Sequence, residues 1–168
     1  MSRTILARPL TREAFAAFGD VLDTDGAERF PINGGMCERH HALATVEATG
    51  EGASAILSIF RGKPYPFPLD LALVEHHPFG SQAFVPLGGR PFLVVVCPDE
   101  NGEPGRPEAF VTAPGQGVNY RRGVWHGVLT PIGEPQDFLV ADRAGPGNNV
   151  VEFVYDQPWR IELPAANG

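Results

Sequence analysis

Glycine and proline cut this chain into short pieces: 20 glycines and 17 prolines fall among 168 residues and separate apolar runs of four to nine residues. The runs Ala53–Phe60, Leu69–His77, Gln82–Pro86, Pro91–Cys97, Ala109–Thr112, Gly117–Tyr120, Trp125–Leu129, Gln136–Asp142 and Val150–Tyr155 all read as strands. Short strands closed by turn residues predict an all-β sandwich or barrel rather than alternating β/α units. Lys63–Pro68 is too rich in proline to continue a strand, and Asp99-Glu100-Asn101-Gly102 reads as a turn. One short helix is expected over Glu13–Phe18, capped by Thr11 and ended by Gly19. The length suits a single domain spanning 1–168, with residues 1–50 as an N-terminal extension and 164–168 as a loose tail.

Charge and cysteine content narrow the function. Twenty acidic against 13 basic residues give a formal charge of −7, which disfavours nucleic acid or an anionic membrane as partner. Cys37 and Cys97 form no close motif, so neither a disulfide framework nor a thiolate metal cluster is expected. With no apolar leader and no run of membrane-spanning length, a cytoplasmic location is expected. Lys63 is the only lysine, so any Schiff-base chemistry would rest on it, whereas arginines are natural clamps for a planar carboxylate or ureido group.

Two segments place chemically versatile groups on strand-like stretches: Val74-Glu75-His76-His77-Pro78 through Gln82, and Gly115–His126. Side chains alternate along a strand, so Glu75 and His77 share a face and His76 points away. Pro78 and Gly80 then turn the chain, letting Gln82 and Phe84 enter the same cavity from the next strand. The second segment offers Asn119, Tyr120 and Arg122 before a turn at Gly123, then Trp125 and His126. Convergence of Glu75, His77, Gln82 and His126 yields two imidazoles, a carboxylate and an amide oxygen. That set can hold a divalent cation or work without one as an acid/base site.

The chain resembles the ureidoglycolate lyases, a branch of the cupin superfamily. The resemblance is carried by Glu75-His76-His77-Pro78 with Gly80–Leu87 and by Gly115–Tyr120 with Gly123-Val124-Trp125-His126. Asn33-Gly34-Gly35 with Arg39 and His41, Arg61–Pro64, and Asp142-Arg143 add to it. It implies a cupin-like double-stranded β-helix, a homodimer, and cleavage of (S)-ureidoglycolate to glyoxylate and urea in allantoin and purine catabolism. In the general cupin pattern the four metal-ligand positions fall on Glu75, His77, Gln82 and His126. For that cleavage the candidate catalytic groups are Glu75, His77, His126, Tyr120 and Lys63: His126 or Glu75 to take the alcohol proton and His77 or Tyr120 to assist the departing nitrogen, roles that the resemblance does not assign uniquely. Gln82, Arg39, His41, Arg61, Asn119, Arg122 and Asn33 would bind substrate. Position 76, often Arg in the family, is His here, and a family histidine is replaced by Gly127. The competing readings are another small-acid cupin enzyme, metal-dependent or not, and a noncatalytic small-ligand barrel.

Overall fold

In the computed structural model, which describes residues 3–165, the apolar runs become strands of two sheets. In chain order the elements are β1 (Thr4–Leu6), β2 (Arg8–Pro9), α1 (Arg12–Phe15), β3 (Gly19–Leu22), β4 (Arg29–Ile32) and β5 (Cys37–His40). Then come the long β6 (Ser54–Gly62) and β7 (Leu69–His76), followed by β8 (Gln82–Pro86), β9 (Phe92–Cys97), β10 (Asp99–Glu100) and β11 (Glu103–Pro104). The series ends with β12 (Glu108–Val111), β13 (Gly117–Tyr120), β14 (Trp125–His126), β15 (Thr130–Pro131), β16 (Gln136–Ala144) and β17 (Val151–Glu162).

The first sheet runs β1-β17-β7-β14-β9-β12-β2, with β15 also on β9. Its two ends nearly meet. β1 lies parallel to β17, β2 lies parallel to β12, and only Ala7 separates β1 from β2. The sheet therefore curls into an almost closed barrel around Ile5, Leu71, Leu93, Val95, Cys97, Trp125 and Ile161. The second sheet, β3-β13-β8-β16-β6, packs over the outside of that curl. Between the sheets lies a second core, with Phe92, Val94, Val96 and Phe110 facing Val21, Phe84, Val118, Phe138 and Val140. Alternate residues of β9 thus enter different cores, which is why Phe92–Cys97 is buried throughout and reads as an unbroken apolar run. The punctuation predicted an all-β sandwich or barrel, and this architecture is all-β with a nearly closed, cupin-like barrel, the form the resemblance implies.

The helix is shorter than its sequence pattern. Thr11 caps it, its hydroxyl accepting from the Ala14 N–H at 3.2 Å, but only Arg12–Phe15 is helical. Gly19 opens β3 instead of ending a helix, because it lies against Tyr120 where β3 and β13 pair and a Cβ there would strike the Asn119 carbonyl. Phe15 and Phe18 still serve as the pattern requires, both entering the core between the sheets. The stretch 1–50, read as an extension, supplies β1 and β2 to the first sheet and β3 to the second. The expected turn at residues 99–102 is the tight β10–β11 hairpin, with Asn101 and Gly102 at φ 59° and 90° as an Asn-Gly turn needs. Of the expected tail, Pro164 and Ala165 are without secondary structure, and 166–168 lie outside the described residues.

Candidate functional site

A cluster between the sheets collects polar groups from five strands. β7 delivers Glu75 and, just past its end, His77. β14 delivers His126, which is paired directly with Glu75 across the ladder. From the opposite sheet β8 supplies Gln82, paired with Tyr120 of β13. Strand alternation works as expected, since His76 turns away and packs edge-on against Trp125 with ring centres 4.2 Å apart.

Gln82 sits at the centre of the cluster. Its Oε1 lies 3.1 Å from His77 Nε2 and 3.2 Å from His126 Nε2. Glu75 Oε1 is 3.8 Å from His77 Nε2 and 3.9 Å from His126 Nε2. The possible ligand atoms of Glu75, His77 and His126 all lie within 4.8 Å of one another. Behind Gln82, its Nε2 donates to Asp142 Oδ2 at 3.3 Å, which fixes which end of the amide faces the imidazoles. The Tyr120 ring packs on His126 at 4.2 Å. His77 Nδ1 faces the Asn149 carbonyl at 2.7 Å and His126 Nδ1 faces the Val124 carbonyl at 3.2 Å.

Burial sets the charges. His126 is pushed down to about 3, chiefly by desolvation and then by the neighbouring His77, so its imidazole is neutral in the fold. Desolvation also raises Glu75 above the usual carboxylate range, making it a better proton acceptor than a surface glutamate. Tyr120 is raised by burial and stays a phenol. His126 gives the fold a pH signature. The unfolded chain protonates this histidine below 6.5 while the folded chain resists until about 3, so stability falls as pH drops through that window. One proton contributes at most about 1.4 kcal/mol per pH unit. Denaturant melts stepped from pH 6.5 to 5 are expected to show this slope, with His76 adding in the same direction. His126→Gln should flatten it.

The other residues singled out in the sequence are dispersed within one chain. Asn119 points to the far side of β13 from Tyr120 and donates to Asp20 Oδ2 at 3.1 Å. Arg122 follows β13 and faces Glu47 at 3.6 Å. Arg61 pairs with Asp137, whereas Asp142 faces Ile56, a separation of five residues or about 17 Å along the strand. Lys63 lies beyond Arg61, in a surface pocket with Tyr65 and Leu129. Asn33 and Arg39 are on the β4–β5 hairpin, and His41 at its base packs against Phe30 at 5.6 Å. Position 127 adjoins the curled sheet's core: a Cβ on Gly127 would be 3.3 Å from both Leu71 and Val95.

Asp142 is the cluster member that motif reading left out of the site. Its signal was parity, since it lies two residues past buried Val140 and four past buried Phe138 on one strand. Its second oxygen, Oδ1, is buried without a partner. Among the described residues no Arg or Lys is hydrogen-bonded or ion-paired to Glu75, His77, Gln82, His126 or Asp142.

Comparison with known proteins gives a consistent result. The family model described as ureidoglycolate lyase matches residues 2–162. A ureidoglycolate lyase of Mesorhizobium japonicum is 62% identical over 95% of this chain and 98% of its own length. One from Chelativorans sp. is 60% identical over 96% and 98%, and ureidoglycolate lyase 1 of Rhizobium meliloti is 52% identical over 99% and 98%.

Proposed function

The chain belongs to the ureidoglycolate lyase family, and from that premise and the cavity's geometry we propose that it cleaves (S)-ureidoglycolate to glyoxylate and urea, a carbon–nitrogen lyase step of allantoin and purine catabolism. The observation that carries this reading is a desolvated carboxylate and an imidazole 3.8 Å apart in one cluster, with a second, neutral imidazole beside them.

The reaction moves one proton off oxygen and one onto nitrogen. Glu75 takes the proton of the substrate hydroxyl, the carbon–oxygen bond becomes a carbonyl, and the carbon–nitrogen bond breaks with its electron pair going to the urea nitrogen. His77 protonates that nitrogen. His77 Nε2 faces into the cluster, 3.1 Å from Gln82 Oε1 and 3.8 Å from Glu75 Oε1, and that is the nitrogen from which the proton is delivered. The proton then returns from Glu75 to His77, and the cycle closes without net uptake. Gln82, fixed by Asp142, and Tyr120, held as a phenol, orient the substrate's oxygens.

A second reading is favoured by one observation. Each histidine directs Nδ1 at a backbone carbonyl, the arrangement that metal-bound histidines use. With Nδ1–H donating, both Nε2 lone pairs meet Gln82 Oε1 and Glu75, so acceptors converge with no donor between them. The residues therefore fit a divalent cation, which Glu75, His77, Gln82 and His126 would hold. Such an ion would supply Lewis-acid polarisation of a substrate oxygen. On this reading, calorimetric titration with nickel or manganese gives one site per chain, and His126→Ala removes it.

The reading extends to a single catalytic domain over 1–168, a cytoplasmic location and a homodimer. The family match over residues 2–162 supports the first of these. The deciding experiment incubates purified protein with (S)-ureidoglycolate and measures urea, glyoxylate and ammonia separately. Equimolar urea and glyoxylate are expected. Ammonia in place of urea would reassign the chain as an amidohydrolase.

A further inference from the structure

We infer that each cavity is completed by a second copy of this chain, whose β4–β5 hairpin covers the open flank beside β6 and presents Arg39 to the substrate's carboxylate. The Arg39 role rests on the anionic substrate proposed above; the exchange of hairpins rests on the fold alone.

The hairpin has two unlike faces. Register places Phe30 opposite Arg39 and Ile32 opposite Cys37, so these four share one side. Arg29, Pro31, Glu38 and His40 share the other, where Glu38 is 3.7 Å from Arg29 and 3.1 Å from His40. Charge is thus neutralised on one face, while the other is apolar and carries an arginine with no carboxylate partner among the described residues. The Arg39 guanidinium lies over the Phe30 ring, 6.0 Å from its centre. The hairpin packs extensively on nothing but its own tip, and Met36 there is 88% exposed. It emerges after β3, at the edge of the second sheet opposite β6, and the returning residues 42–47 pass outside that sheet near Asn119. Within its own chain it lies outside the cavity.

The other end of the second sheet supplies the matching surface. β6 is a nine-residue edge strand with nothing paired on its free side. Ile56 and Phe60, opposite Asp142 and Phe138, face inward, Ile56 beside the polar cluster and Phe60 toward the core at Phe84, yet they are 40% and 37% exposed. Leu57 and Ile59 on its outer face, and Val154 of β17, are exposed as well. Long apolar edges of this kind are covered in stable proteins. Asp142, opposite Ile56 of β6, and Glu75 of the cluster bring carboxylates to this side, while the cations of β6 and β16 are engaged elsewhere, Arg61 by Asp137 and Arg143 by the Thr49 and Pro146 carbonyls. The pocket for an anion thus holds carboxylates and lacks a fixed cation. A hairpin whose apolar face bears one unpaired arginine supplies both missing parts. Each copy has one hairpin and one open flank, so a two-fold exchange satisfies both copies and leaves no free end.

The test co-expresses Arg39→Ala and His77→Ala chains under different tags and isolates the mixed dimer by two affinity steps. Arg39→Ala alone is expected to raise KM at least tenfold with a smaller change in kcat, and His77→Ala alone to be inactive. The mixed dimer has one site with an intact barrel and an intact incoming arginine, so about half of wild-type kcat at wild-type KM is expected. A mixed dimer whose KM is as high as that of Arg39→Ala, with about half that variant's kcat, would place Arg39 in its own chain's site and overturn the inference. A second measurement needs no turnover: Cys37 is exposed and Cys97 buried, so a bismaleimide added to a Leu57→Cys variant should join Cys37 of one chain to position 57 of another. A monomer in sedimentation, or crosslinks confined to single chains, overturns the exchange. Interchain crosslinking in a protein that releases no glyoxylate supports the exchange and sinks the substrate reading together with the Arg39 role.

Discussion

Glu75→Gln is expected to lower kcat by roughly 10² to 10⁴, the usual contribution of a positioned general base, while KM changes far less. The substitution keeps the side chain's shape and its place opposite His126 and removes only its capacity to take a proton. The pH profile supplies the sharper criterion. Burial raises Glu75 above its ordinary 4.5, so the acid limb of wild-type kcat/KM should lie above that value and fall as the carboxylate protonates. In the amide variant that limb should vanish, because nothing at position 75 titrates. A loss below tenfold, or an acid limb that persists unchanged, would move the base to another group. His126 is a poor substitute, since a ring held down to about 3 has little affinity for a proton. Under the cation reading the same change also weakens a ligand, and metal content then falls along with rate.

How much of this site the sequence disclosed depends on whether the information was local. Glu75, His77 and Gln82 lie within eight residues, and alternation plus one turn suffices to bring them together. The strands Gln82–Pro86 and Gly117–Tyr120 have the bounds that their flanking glycines and prolines mark. Where register decides, local pattern fails. Lys63 and Arg61 sit at the end of a strand whose other end borders the cavity, and only the β6–β16 pairing reveals which end is which. Asn119 and Tyr120 are neighbours in sequence, yet the pleat sends one outward to Asp20 and the other inward to His126. The short β1 and β2 left no alternation to read, because they are held by parallel pairing to β17 and β12, far along the chain. β17 was read only as far as Tyr155. It continues to Glu162 through an irregularity between Val154 and Trp159, where its pairing with β7 shifts and the alternation breaks.

Phe138→Ala is expected to cost about 3–5 kcal/mol, a large part of the roughly 5–15 kcal/mol that holds a domain together. The ring is fully buried between the two sheets and meets Phe92 edge-on at 5.0 Å and Phe84 at 6.5 Å. Those neighbours belong to different sheets, so no single strand can shift to fill the void, and most of the cavity penalty should persist. Urea unfolding should show a lower midpoint with an unchanged m value. Phe60→Ala is the internal control. Phe60 pairs with Phe138 across β6 and β16 and also meets Phe84, at 5.8 Å, but is 37% exposed, so its truncation should cost markedly less in an isolated chain. If a partner's hairpin covers β6, Phe60 behaves as a core residue instead, and the cost of its loss grows with protein concentration. The core substitution should also reach the chemistry. Phe84 lies two residues from Gln82 on the same face of β8 and rests against the Tyr120 ring at 6.0 Å, so a vacancy at 138 loosens the floor that aims the amide at both imidazoles. At temperatures where Phe138→Ala remains folded, kcat should still fall several-fold. Full activity there would show that Asp142 alone holds Gln82 in place.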